Sequence, residues 1–219
     1  MIQPKKALIV GATGLIGSNC LKILLNDSSF SLTEVWTRKP MELIHPRLKN
    51  IVTDFRDIAK IQSTDATHIF CCLGTTIAKA GSQSAFREVD FEYVLALAKL
   101  AERSDTLSFS VISSIGANPK ASNFYLRTKG EMEEAVKACS IPSIIILRPS
   151  MLLGKRQEFR FGEMVGKALM LAFNFMLVGK LRKYRGIQAV SVASAMVRLA
   201  KENSKGIVVI ESDQIHKWQ

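Results

Sequence analysis

Only four cysteines and three histidines occur among the 219 residues, and their placement sets aside two kinds of site. Cys20, Cys71, Cys72 and Cys139 make neither a bridged framework nor a CxxC pair, and a chain of this length buries a core without staples. His45, His68 and His216 are scattered, so no metal-ligand spacing arises and no metal is expected. Long apolar runs are scarce too. Near the amino end only residues 7–10 precede a glycine, too few for the core of a secretory signal. A reducing cytoplasm is therefore the expected location. The longest apolar stretch, 164–178, would reach about 22 Å as a helix against a bilayer core of about 30 Å. Lys167 and Asn174 interrupt it, and no spanning helix is expected. Repeats and low-complexity segments are lacking as well.

Positive charge is what the sequence has in excess: 30 Lys plus Arg against 19 Asp plus Glu, a net +11. The excess favours polyanions, whether a phosphorylated cofactor, a nucleic acid or an anionic membrane face. No nucleic-acid recognition motif accompanies it, so nucleic acid is not expected as a partner. With 47% hydrophobic and 22% charged residues the composition is that of a globular chain and excludes disorder. One domain over 1–219 is expected, with a smaller substrate-side or lid region at 150–205.

Apolar runs and helical patterns alternate along the chain. Strands are predicted at 7–10, 32–37, 51–53, 67–73, 107–112, 144–147 and 207–210. Helices are predicted from Leu15, over 86–103, over 123–139 and near 192–202. Strand followed by helix without a break to residue 150 predicts an α/β fold, a doubly wound, mostly parallel sheet with helices on both faces.

The first strand runs into Gly11-Ala12-Thr13-Gly14-Leu15-Ile16-Gly17. Glycines at these places let the backbone turn tightly and approach a pyrophosphate, which the free N–H groups of the following helix then receive. The pattern sits in the strand-to-helix context it requires, so Gly11, Thr13, Gly14, Leu15, Ile16 and Gly17 are the expected dinucleotide contacts. The second strand ends in Thr37-Arg38-Lys39, where an NAD site usually places a carboxylate for the ribose. Two cations there suit an adenosine 2′-phosphate, and the expected cofactor is NADP(H).

Tyr125 and Lys129 are four residues apart on a predicted helix and so share one face. A phenol with a pKa near ~10 is a poor proton donor and acceptor at neutrality, and a neighbouring ammonium favours its ionised form. Ser113 and Ser114 end the preceding strand at the sheet's carboxyl edge, where a hydroxyl can hold a substrate oxygen. Ser114 is preferred over Ser113.

These residues, together with Phe70-Cys-Cys-Leu-Gly-Thr-Thr76, Lys79-Ala-Gly81, Ser122-Asn-Phe124 and the run from Arg148-Pro149 to Gly162-Glu163, resemble the atypical short-chain dehydrogenase/reductases of the Tat-interacting oxidoreductase group. The likeness covers most of 5–163. It implies a Rossmann fold, NADP(H), and Tyr125 with Lys129 as the active pair. By matching position it also implies Arg38 and Lys39 at the 2′-phosphate, Leu73 and Gly74 beside the adenosine and ribose, and Leu152 and Arg160 over the nicotinamide half.

The combined expectation is an oxidoreductase moving hydride to or from an unidentified small carbonyl or alcohol. The alternative is an NADPH-binding regulator with vestigial chemistry, acting through a protein or a peripheral membrane contact. For residues 164–186, an apolar stretch followed by Lys180, Arg182, Lys183 and Arg185, a lid over the cleft is preferred to a membrane anchor.

Overall fold

The computed structural model describes residues 4–154, 184–202 and 204–218. Seven parallel strands make its main sheet: β1 (Lys5–Val10), β2 (Phe30–Thr37), β3 (Leu48–Val52), β4 (His68–Cys71), β5 (Ser108–Ile112), β6 (Ser143–Arg148) and β9 (Gly206–Glu211), in the order β3-β2-β1-β4-β5-β6-β9. Two short strands, β7 (Leu152–Leu153) and β8 (Ile187–Gln188), pair separately. Among the described residues the α-helices are α1 (Leu15–Asn26), α2 (Ile77–Ala80), α3 (Gln83–Arg87), α4 (Tyr93–Arg103), α5 (Phe124–Lys137) and α6 (Ala189–Glu202).

The near-continuous apolar runs of the sequence follow from burial on both faces of the sheet. Ile9, Val35, Phe70, Ile145 and Leu147 point to one side and pack with Cys20, Leu24, Val192 and Met196 of α1 and α6. Leu8, Val10, Ile69, Phe109, Val111, Ile144 and Ile146 point to the other and meet Val94, Leu97, Met132 and Val136 of α4 and α5. Successive strand residues thus feed opposite layers. Truncating any fully buried member, such as Leu24, costs about 2–5 kcal/mol. All seven predicted strands of the main sheet are present, and the doubly wound parallel architecture stands.

Two elements differ from expectation. The helix read as one piece over 86–103 starts earlier, at α3, and carries a π-helical turn (Glu88–Glu92) before α4. The extra residue in that turn rotates Asp90 into the interior, where the residue is 1% exposed. Such turns often mark functional places in helices. The second difference is a 3-10 turn (Phe55–Lys60), capped by Asp54, between β3 and β4.

From β1 the chain winds outward through β2 and β3, then returns to place β4 on the other side of β1. The strand order reverses between β1 and β4, and the crevice beyond their carboxyl ends is where such sheets bind ligands. Among the described residues no helix is long and apolar enough to cross a membrane. The expected lid at 164–186 lies outside the described residues up to 183.

Candidate active site

The glycine loop closes on itself at the crevice. Gly11 has φ +90, and a Cβ there would stand 2.5 Å from the Cys72 carbonyl oxygen. The β1 and β4 exits touch only because that side chain is missing. Gly14 N–H donates to the Gly11 carbonyl at 3.0 Å. A Cβ on Gly17 would fall 2.1 Å from the Gly11 oxygen. Alanine is worth about 1 kcal/mol over glycine inside a helix, so the close approach decides this position. No side chain caps α1 and no acidic residue occupies its first turn. Thr13 and Gly14 are exposed. An uncapped amino end over a glycine turn fits a diphosphate. Ile16 is buried and Leu15 half-buried; a Cβ on Gly154 would lie 3.0 Å from Leu15 Cδ1, so the chain leaving β7, with half-buried Leu152, passes over the loop. Arg160 lies outside the described residues.

Arg38 and Lys39 follow β2 directly and are exposed. The Arg38 guanidinium sits 6.0 Å from the centre of the Phe55 ring. Beyond β3 comes a carboxylate not singled out in the sequence, Asp54, which receives Arg56 Nε at 3.1 Å on Oδ1 and Arg56 Nη2 at 2.5 Å on Oδ2. The Arg56 side chain, then its backbone N–H and, more weakly, Arg38 hold the Asp54 carboxyl down at about 2. Asp54 and Arg56 cancel in charge, which leaves Arg38 and Lys39 as the net positive pair at this end of the crevice.

At the β4 exit Leu73 is buried and Gly74 exposed. The next residue, Thr75, donates its N–H to Asp90 Oδ2 at 2.8 Å. Asp90 Oδ1 lies 2.8 Å from Lys129 Nζ, with both side chains almost fully enclosed. The ammonium also donates to the Ile112 carbonyl at 3.2 Å. Burial disfavours the charge on Lys129, but the Asp90 carboxylate and then Tyr125 outweigh it, and the pKa rises above the ordinary lysine value. Tyr125 is half-buried one helical turn before Lys129, its ring centre 5.6 Å from that of Phe86. Asn123 caps α5 through its side chain. A Cβ on Gly130 would come within 2.2 Å of Asn118 and Pro119 backbone atoms. That missing side chain seats the β5–α5 loop against the helix beside Lys129.

The two serines have different surroundings. Ser113 is buried and donates to Glu133 Oε1 at 2.5 Å. Glu133, itself buried, accepts two bonds from Arg148, from Nε at 2.9 Å and Nη2 at 2.6 Å, and Arg148 also reaches Glu211 at 2.9 Å. This network ties together the ends of β5, β6 and β9 and the middle of α5. Ser114 is half-buried, and its Oγ lies 3.3 Å from the Ile115 carbonyl. Burial pushes the Cys71 thiol up to about 12. The bond the Cys72 thiol donates to Cys20, and then burial, raise Cys72 well above the ordinary thiol value. High thiol pKa values suit packing and oppose nucleophilic chemistry.

Asp90, Glu133, Asp54 and Gly130 were not read from the sequence. The first two are buried carboxylates facing cations across the fold, a relation that has no sequence spacing.

A protein-family model described as NAD(P)H-binding matches residues 11–203. Protein FMP52, mitochondrial, of the yeast Debaryomyces hansenii is 29% identical over 201 residues, covering 90% of this chain and 88% of its own. Protein HTATIP2 of the rat is 35% identical over 171 residues, covering 76% of this chain and 70% of its own. Among solved structures, MoeE5 in complex with UDP-glucose and NAD superposes with a TM-score of 0.69 at 17% identity, over 93% of this chain and 74% of that one. The human epimerase family protein SDR39U1 with NADPH gives 0.64 at 16% identity, over 94% and 74%. The last two show the fold, a Rossmann-like sheet.

The cytoplasmic expectation is overturned by the FMP52 relatives, which are named mitochondrial. Free thiols show that a fold needs no bridges, which does not single out one compartment. The test for a secretory signal says nothing of other destinations. With its glycine loop at the switch point of a parallel sheet and a family match spanning most of its length, the chain belongs to the NAD(P)H-binding domain family.

Proposed function

We propose that this chain is an NADP(H)-dependent oxidoreductase of the short-chain type, acting on a small carbonyl or alcohol. The observation that carries the reading is Lys129, buried and held as a cation, one helical turn from half-buried Tyr125 at the carboxyl edge of the sheet. The first turn of α1, with Gly11, Thr13, Gly14, Leu15, Ile16 and Gly17 around it, holds the pyrophosphate. Arg38 and Lys39 hold the 2′-phosphate, and Leu73 and Gly74 flank the adenosine ribose. Leu152 borders the nicotinamide half, with Arg160 assigned there by family position alone. The bound nicotinamide supplies or accepts hydride at the substrate carbon.

In the reductive direction Tyr125 gives its phenolic proton to the carbonyl oxygen, and the Ser114 hydroxyl donates a hydrogen bond to the same atom. Ser113, committed to Glu133, fixes the strand end that carries Ser114. Lys129 holds a fixed positive charge one helical turn from the phenol that gives up its proton. The proposal extends to one domain over 1–219 and, from the fungal relatives, to a mitochondrial location.

Replacing Tyr125 by Phe keeps the ring and removes the proton. NADPH affinity should hold while kcat on an active carbonyl falls by about 10²–10⁴-fold. An unchanged kcat would make Tyr125 a helix-surface residue. NADPH binding without turnover across a broad carbonyl panel would support the regulatory reading instead.

A further inference from the structure

We propose that Asp90 is a positioning residue for the Tyr125–Lys129 pair: its carboxylate ties the lysine ammonium to the β4 exit loop and sets the pH range in which the pair gives up its first proton. The inference deepens the proposed function and rests on that reading of the pair.

Aspartate is a poor helix former, and a buried carboxylate without partners costs several kcal/mol. Asp90 therefore needs both of its contacts, the Thr75 N–H at 2.8 Å and Lys129 Nζ at 2.8 Å. The π-helical turn presents it to them from the α3–α4 element. A side chain on Gly74 would begin 3.6 Å from Asp90 Oδ1, so the carboxylate lies directly beneath the backbone assigned to the cofactor ribose. One group thus touches the cofactor side and the proton-transfer side of the site.

Among the described residues the groups facing Lys129 are few. Asp90 comes from the π-helical turn, Tyr125 from α5 itself and Cys71 from β4. The Cys71 thiol is neutral, its pKa pushed up by burial. Glu133, one turn further along α5, is engaged by Arg148 and Ser113.

With Asp90 ionised, the set Asp90, Lys129 and neutral Tyr125 carries no net charge. Loss of a proton from either Tyr125 or Lys129 leaves a net negative charge in a buried place, next to a carboxylate. Asn at position 90 reverses the sign: the pair then starts at +1 and becomes neutral when it loses the proton. Its first proton must leave at lower pH whichever residue releases it, because coupled groups titrate as a set. A charge at this separation moves a pKa by about 1–3 units.

The test is a potentiometric difference titration of the whole chain without cofactor, with a thermal melt to verify folding. Asp90→Asn should release one proton about 1–3 pH units below the corresponding step of the unmodified protein. Should that variant fail to fold, Asp90→Ser, smaller and equally uncharged, puts the same question with Lys129 in place. Superimposable curves for a folded Asp90→Asn or Asp90→Ser would overturn the assignment. Neither measurement needs turnover, so a failed catalytic reading of Tyr125 leaves this result standing, and the converse holds.

Discussion

Replacing Glu133 by Gln removes one charge from the middle of a buried network while nearly preserving volume. Three bonds converge on that carboxylate, from Ser113 Oγ at 2.5 Å and from Arg148 at 2.9 and 2.6 Å, and Lys137 stands 3.8 Å away. An amide offers one oxygen, so its NH₂ group must face a donor. Hydrogen bonds to charged groups are worth about 1.5–3 kcal/mol each, and breaking a buried pair costs about 3–5 kcal/mol. Arg148 keeps Glu211 and is 22% exposed, which places the loss at the low end, about 3 kcal/mol. For a chain of this size each kcal/mol moves the melting temperature by about 2–4 °C, so a fall of about 6–12 °C at neutral pH is expected. Differential scanning calorimetry measures it. Ser113→Ala, which removes one donor and leaves the ion pair, should cost only about a third as much. A melting temperature within about 1 °C of the unmodified chain for Glu133→Gln would show that the network contributes no net stability, and that the ends of β5, β6 and β9 are held by packing alone.

Arg38→Ala should weaken NADPH binding by roughly 10- to 150-fold, the worth of a charge-assisted contact of about 1.5–3 kcal/mol, and leave NADH binding unchanged. Equal affinity of the unmodified chain for the two cofactors in calorimetric titration would refute the 2′-phosphate assignment. Gly17→Ala should lower the melting temperature and cut NADPH affinity at least tenfold, because the helix gain of about 1 kcal/mol cannot offset a backbone contact at 2.1 Å. A variant that binds NADPH normally would show that the loop can open at no cost. Asp27 clasps Lys201 of α6 at 2.5 Å. Burial opposes its ionisation, but Lys201 and Ser29 hold its carboxyl at about 2 against an ordinary 3.8. The depressed pKa means that the stabilisation is whole above pH 3.8 and is lost as pH falls towards 2. With Lys201 partly in solvent the effect should stay below about 1 kcal/mol. Urea midpoints at pH 5 and pH 2.5 should accordingly differ less in Asp27→Asn than in the unmodified chain.

The strands were legible because burial on both faces writes itself as unbroken apolar runs, as in residues 144–147. The glycine loop was legible because its three glycines are spaced along one local turn. Tyr125 and Lys129 were legible by their separation of one helical turn. Asp90 was not. It lies in a stretch whose apolar residues read as an ordinary helix, and its partner is 39 positions away. Glu133 hid for the same reason, facing Arg148 from another element. Gly130 looked like a weak spot in a helix, since the loop that needs its missing side chain arrives only in three dimensions. Local turns and periodic faces can be read along a chain, whereas a charge buried against a distant partner is a property of the assembled sheet.

The small β7–β8 ladder has a consequence for how this protein could change. Met151 accepts the Ile187 N–H at 2.9 Å, Leu152 and Leu153 pair with Ile187 and Gln188, and Ser150 donates to the Arg185 carbonyl. The chain departing at Gly154 and the chain arriving at Tyr184 are therefore stapled side by side. Ends held this way separate the register of the main sheet from the length of chain between them, so that an insertion there leaves the pairing of the seven strands alone. Evolution could then lengthen or shorten the span between 154 and 184 without re-pairing the sheet, and a short laboratory insertion there should cost little in melting temperature.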